Sequence, residues 1–450
     1  MKNLTINEKT NTMNTLALKA RLSVLGFLEF AVWGAYLTSL GAYLARIGLG
    51  ENIAWFYAVQ GIVSLFMPAL VGIVADRWIQ AQKTLSLCHV IAGAFMLAAG
   101  LYGLSAATPD AMVLFGLYTV SVAFFMPTIG LSNSVAYSAL DKAGLDTVKH
   151  FPPVRVFGTV GFICAMLFVN FTGFQNTAAQ LVTSGILSFV LAAYSLTMPK
   201  CPVSKGGSKK SLYDALGLKA FALFKNRRMA VFFIFSMLLG VSLQITNGFA
   251  NPFIQSFGSI PEFSDAWGVH NANALISLSQ MSETLCILLI PFFLRRYGIK
   301  TVMLMAMFAW VLRFGLFGVG NPGSGVWLFI LSMIVYGIAF DFFNVSGSLY
   351  VDKQTSVDIR SSAQGLFMIM TNGIGATVGT LCAQAVINHY VYSQPEGMAQ
   401  IDGWSTSWLI FAGYALVVAV LFMIIFHDSD HRKATTEQIN AAEDRPDAAI

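Results

Sequence analysis

Twelve apolar runs, each close to the length of chain that crosses a lipid bilayer, decide what this sequence can fold into. They lie at residues 22–45, 53–75, 84–104, 111–139, 154–173, 179–198, 230–256, 272–293, 301–320, 325–350, 362–386 and 405–426. A helix of roughly 20 residues spans a hydrocarbon core about 30 Å thick. Lipid offers no partner to an unpaired backbone amide, so a spanning segment is a helix or a strand of a closed barrel, and barrel strands alternate in polarity. These runs do not alternate. Composition agrees: 56% of the 450 residues are hydrophobic and 11% are charged, against about 25% charged in a soluble domain. The expectation is an all-α integral membrane protein with twelve transmembrane helices in two six-helix bundles. The first run carries Trp33 and Tyr36 with no small-residue cleavage site after it, and reads as a retained helix rather than a signal peptide.

The distribution of charge orients the chain. With the N-terminus in the cytoplasm, 24 of the 27 Lys and Arg residues fall in segments on that side. Arg46 lies in a break on the other side, and Arg155 and Arg313 lie within runs. Both termini are therefore expected to be cytoplasmic by the positive-inside rule. The net charge of +5 is then a topology signal, not a footprint of nucleic acid. The domains expected are a cytoplasmic N-terminal segment (1–21), a first six-helix bundle (22–198), a basic cytoplasmic linker (199–229), a second bundle (230–426) and a polar cytoplasmic tail (427–450).

Two six-helix halves joined by a linker are the plan of transporters that rock about a midplane site. No enzyme is expected: H-E-x-x-H and G-x-S-x-G are absent, and "KGGSKKS" at 205–211 lacks the Gly directly before Lys of a phosphate loop. Neither a cofactor nor a metal site is expected. The break after the second run reads "GIVADRW", in which Gly72, Asp76 and Arg77 match the loop motif of the major facilitator superfamily, G-x-x-x-D-R-x-G-R-R, that locks cytoplasmic helix ends. Trp78, Ile79 and Gln80 depart from it. The equivalent break in the other half, "RRYGIK" at 295–300, fits ordinary positive-inside anchoring equally well.

Ionisable and amide groups inside the runs carry the chemistry, since a charge at membrane depth costs about 3 kcal/mol on insertion scales and is functional by default. Asp341 stands among Phe340, Phe342 and Phe343. Desolvation opposes its ionisation, which suits it to take up and release a proton; a structural ion pair is the alternative. Tyr336 and Phe340, at i and i+4, share a face that Asp341 borders. Gln280 and Glu283 point one way from the eighth run, as do Gln244 and Asn247 from the seventh. Their donors and acceptors suit a neutral ligand with many hydroxyls, or serve as glue between helices. Arg155, Thr159 and Phe162 form one stripe on the fifth run, just after Pro152 and Pro153, which read as a helix start. Arg155 either faces the same cavity or snorkels to the interface. Arg313 reads as an anchor near the far interface, and His89 as a hydrogen-bonded structural histidine, with a proton relay as the alternative.

The stretches "FPPVRVFGTVGF", "FALFKNRRMAVFFIFSMLLG", "LQITN", "SQMSETL", "FFLRRYGIK" and "VYGIAFDFFNVSGS", in this order and spacing, closely resemble the bacterial nucleoside:proton symporters of the major facilitator superfamily, from about Met13 to Phe426. The resemblance implies proton-driven uptake of purine and pyrimidine nucleosides across the bacterial inner membrane by alternating access, with the lipid bilayer and H⁺ as further partners. Its ligand residues carry over to Arg155, Thr159, Phe162, Gln244, Asn247, Gln280, Glu283, Tyr336, Phe340 and Asp341. A monomer is expected by analogy of fold. One departure stands out: Glu29, in "FLEFAVWG", occupies a place where the resemblance leads one to expect Gln. It either joins Asp341 and Glu283 in proton coupling or is a structural partner of Arg155. Amides and Glu283 can bind hydroxyls and base edges, and Phe162, Tyr336 and Phe340 can stack on a base. Isolated acids favour H⁺ over Na⁺, which wants several converging oxygens. A proton symporter for another neutral polyol, such as a sugar, is the alternative.

Overall fold

The structure, a computed structural model, describes residues 2–106, 108–201, 218–355 and 360–426, and every regular element in them is helical. The helices used below are α1 (Lys2–Gly34), α2 (Leu40–Arg46), α3 (Ile53–Ser64), α4 (Met67–Arg77), α5 (Ala81–Ser105), α6 (Ala111–Lys142), α7 (Thr147–Phe171), α8 (Ala179–Ser195), α9 (Arg227–Leu243), α10 (Ile245–Ser256), α11 (Ala272–Val319), α12 (Val326–Gln354), α13 (Arg360–Met368), α14 (Ala376–Ile387) and α15 (Met398–Ile425). Two starts are fixed by side-chain caps. Asp110 accepts from the amides of Met112 and Val113, and Asn226 from those of Arg228 and Met229, so α6 and α9 begin where the sequence supplies an acceptor.

Among the described residues, eight helices are long and apolar enough to cross a membrane, or nine when α3 and α4, bent by 43°, count as one span. The difference from twelve has local causes. The first run is interrupted at 35–39, and α8, at 17 residues, is short. The eighth and ninth runs are continuous in α11, whose 48 residues would extend about 72 Å at 1.5 Å each, over twice a bilayer core. Gly298, with φ 75° and ψ 169°, breaks that helix in a region closed to side-chain-bearing residues, so α11 is two helices meeting at a kink. α7 also differs from expectation: it starts before Pro152 and Pro153 and carries both inside its first turns.

α1, α5, α6, α7 and α8 pack on one another, and α11 packs on α12 and α15 while α9 packs on α14 and a π-helical stretch, Ile369–Gly375. A Cβ at Gly375 would lie 2.3 Å from Met237 O, and one at Gly379 would lie 2.3 Å from Val241 O, so small residues bring these backbones together within the chain.

The two groups meet at one end, where the 47–52, 172–178 and 257–271 connections lie. Thr38 Oγ1 donates to Asn273 Oδ1 (2.8 Å), which also accepts from Asn251 Nδ2 (3.0 Å). Asn170 bonds Asn271 and the amide of Ala274. Gln175 bonds His270 O and the amide of Asn273. Gln384 accepts from the amide of Ala54 (2.7 Å) and donates to Gly50 O (3.0 Å). Here α2 also crosses α10 so closely that a Cβ on Gly41 would lie 2.1 Å from Gly248 O.

Candidate functional site

The first wall is built on α7. Arg155, Thr159 and Phe162 lie at i, i+4 and i+7, and close contact with α1 sets their position. A Cβ on Gly34 would lie 2.4 Å from Phe162 O, and one on Gly161 would lie 2.0 Å from Phe27 O, so two glycines let the helices touch backbone to backbone. The guanidinium of Arg155 lies 4.0 Å from the centroid of the Phe30 ring, a cation–π contact. It lines a narrow crevice with Phe30, Ser132, Asn133 and Phe151. Phe162 is buried and meets Trp33 edge-on at 6.2 Å.

The second wall comes from three elements. Gln244 sits at the break between α9 and α10, and its Oε1 accepts from Asn247 Nδ2 at 2.9 Å. Gln280 and Glu283 are half-buried on α11. On α12 the rings of Tyr336 and Phe340 stack at 5.6 Å and 14°, and Trp310 meets Tyr336 edge-on at 6.0 Å. Asp341 is buried, and its Oδ2 has no hydrogen-bond partner among the described residues. A buried carboxyl oxygen left in that state needs a proton or a ligand group to complete it.

Electrostatics tie the walls together. Arg155 of α7 interacts electrostatically with Glu283 of α11, and Glu283 in turn with Asp341 and Tyr336 of α12. Arg155, Glu283, Tyr336 and Asp341 thus form one interacting set across the two groups of helices. Among the described residues no hydrogen bond within the chain engages the side chains of Arg155, Thr159, Gln280 or Glu283, leaving these polar groups available to a ligand. Gln244 and Asn247 engage each other and not the opposite wall.

Other expectations resolve differently. Glu29 is not a hydrogen-bonded partner of Arg155. It is fully buried, with Oε2 3.1 Å from His89 Nε2 and Oε1 2.6 Å from the hydroxyl of Thr128. His89 is hydrogen-bonded, as read, with Ser188 at its Nδ1 (2.9 Å). Arg313 is no interfacial anchor: it is 2% exposed, donates to Ser332 O (2.8 Å) and lies 4.5 Å from the Tyr336 ring, so it buttresses the second wall from behind. Its run gave no sign of this, because the partner carbonyl belongs to another helix. Of the motif residues, Gly72 lies on α4 with open space beside it. The side chains of Asp76 and Arg77 lie outside the described residues.

The family model described as nucleoside H⁺ symporter matches residues 16–431. Xanthosine permease of Escherichia coli (strain K12) is 47% identical over 93% of this chain and 100% of its own length. Nucleoside permease NupG of the same organism is 47% identical over 94% of this chain and 99% of its own. A crystal structure of nucleoside transporter NupG superposes with a TM-score of 0.82 at 46% identity, covering 92% of this chain and all of that one.

Proposed function

The chain belongs to the nucleoside H⁺ symporter family, and from that premise we propose that it takes up purine and pyrimidine nucleosides with protons across the bacterial inner membrane. The observation that carries this is the set Arg155, Glu283 and Asp341, drawn from two groups of helices and flanked by the stacked Tyr336 and Phe340 rings. A nucleoside offers hydroxyls, a base edge and a ring face. The amides of Gln244, Asn247 and Gln280, with Thr159 and Glu283, suit the polar edges; Phe162, Tyr336 and Phe340 suit the ring. Asp341 takes the proton, with Glu283 coupling it to Arg155 and to the ligand, and the halves then rock about the site.

The reading includes twelve spans in the major facilitator fold. Bundles at 22–198 and 230–426 are joined by a cytoplasmic linker at 199–229, with cytoplasmic segments at 1–21 and 427–450. Both walls come from one chain, which is the basis for a monomeric carrier. With the termini inside, the end closed by Asn273, Gln175 and Gln384 is the outer one. Uptake of labelled uridine tests the ligand: competition by unlabelled nucleosides and none by glucose is expected. Competition by glucose, with none by nucleosides, would replace the reading with that of a sugar symporter.

A further inference from the structure

The Glu29 and His89 pair lies outside the site just described, and the count of protons in its hydrogen bonds has a consequence. The Ser188 hydroxyl faces His89 O at 3.1 Å and His89 Nδ1 at 2.9 Å; turned to the carbonyl it accepts a proton from Nδ1, and turned to Nδ1 it leaves the ring proton on Nε2. Either way one proton lies between His89 Nε2 and Glu29 Oε2 at 3.1 Å. At the other carboxyl oxygen the count is open. The Thr128 hydroxyl faces Phe125 O at 2.5 Å and Glu29 Oε1 at 2.6 Å, and can donate to only one of them. Turned to Glu29, it satisfies a carboxylate. Turned to Phe125, it leaves Oε1 to carry its own proton and donate to Thr128. One hydroxyl rotation therefore accommodates the cluster with or without an added proton, and neither state leaves an oxygen of Glu29 unpartnered.

The cluster draws on α1, α5, α6 and α8, apart from Asp341 on α12. Glu29, His89 and Thr128 are each 0% exposed, so a proton held there is occluded in this conformation. The titratable and charged groups that bear on Glu29 are His89 and Cys88 of α5 and Arg155 of α7, while α6 and α8 present the hydroxyls of Thr128 and Ser188. A cation on α7 in reach of this carboxyl also acts on Glu283, which links the cluster electrostatically to the ligand site.

Resting on the reading of the chain as a proton-coupled carrier, we propose that Glu29 and His89, bracketed by Thr128 and Ser188, form a second proton-binding site of the transport cycle. Two protons then enter with each nucleoside, one at Asp341 and one at this cluster.

The test is the static-head accumulation of labelled uridine in proteoliposomes at zero membrane potential across imposed pH gradients. Each coupled proton contributes about tenfold per pH unit. The wild type is expected to accumulate about 100-fold per unit and Glu29→Gln, which keeps the size and hydrogen-bonding capacity of the side chain, about tenfold. A wild-type slope of one proton overturns the inference without any variant, as does a slope of two that persists in Glu29→Gln. Should Glu29→Gln fail to reconstitute, Thr128→Val, which removes the movable hydroxyl, is read by the same slopes. A wild type indifferent to the gradient would instead refute the coupled-carrier reading, whereas a slope of one leaves that reading standing.

Discussion

Replacing Gly41 by alanine puts a known load on one state of the cycle. The new Cβ would lie 2.1 Å from Gly248 O, 3.2 Å from its carbonyl carbon and 3.5 Å from Pro252 Cγ. Ordinary contact begins near 3.4 Å, so α2 and α10 must separate by roughly 1 Å, and backbone on both sides leaves no flexible side chain to absorb the strain. Overpacking of this kind costs about 1–3 kcal/mol. The contact exists only while this end is shut, so the cost falls on that state alone and shifts its ratio to the open one by about 5- to 150-fold. A cysteine in place of Ala54, which is fully buried with its amide on Gln384, reports the opening through its alkylation rate in a background free of the native cysteines. Gly41→Ala is expected to raise that rate by the same factor. An unchanged rate in folded protein would refute the idea that this crossing holds the end closed.

Three further outcomes follow from the site. Phe340→Ala removes a ring assigned to stack on the base, an aromatic contact worth about 0.5–1.5 kcal/mol, and the KM for nucleoside uptake is expected to rise about 2- to 13-fold. Arg313→Met breaks the bond to Ser332 O and the contact with Tyr336; the thermal midpoint in detergent should fall by the equivalent of about 2 kcal/mol, with Arg313→Lys recovering only part because it keeps the charge without the planar fork. Lowering the external pH should raise initial uptake, since protons are loaded from outside, and this rise should be smaller in Asp341→Asn.

The helices and most of the site were legible in one dimension because a charge or an amide inside an apolar run is conspicuous there. Asp341, Glu283 and Arg155 stood out on that ground alone, and the structure brings them into one electrostatic set. What the sequence did not carry was partnership. Arg313 reads as an anchor until Ser332 of another helix supplies a carbonyl and Tyr336 a ring face. Thr128 and Ser188 look like ordinary helix hydroxyls until α1 and α5 bring Glu29 and His89 to them. Asn273, Gln175 and Gln384 signal no more than glue, yet they join the halves at one end. Breaks within spans were the other blind spot. Pro68 in the first turn of α4 marks the bend after α3, but the interruption at 35–39 carries no Pro or Gly, and its Thr38 and Ser39 are a weak signal within an apolar run.

Uptake of labelled uridine into proteoliposomes under an imposed pH gradient, alkaline inside, for the wild type and Asp341→Asn tests the central claim most directly. The wild type should accumulate uridine above the external concentration and lose that accumulation when a protonophore is added, while Asp341→Asn should accumulate about tenfold less per pH unit, the share carried by the proton at Asp341. Accumulation by Asp341→Asn equal to that of the wild type, and equally sensitive to the gradient, would contradict the assignment of the coupled proton to Asp341.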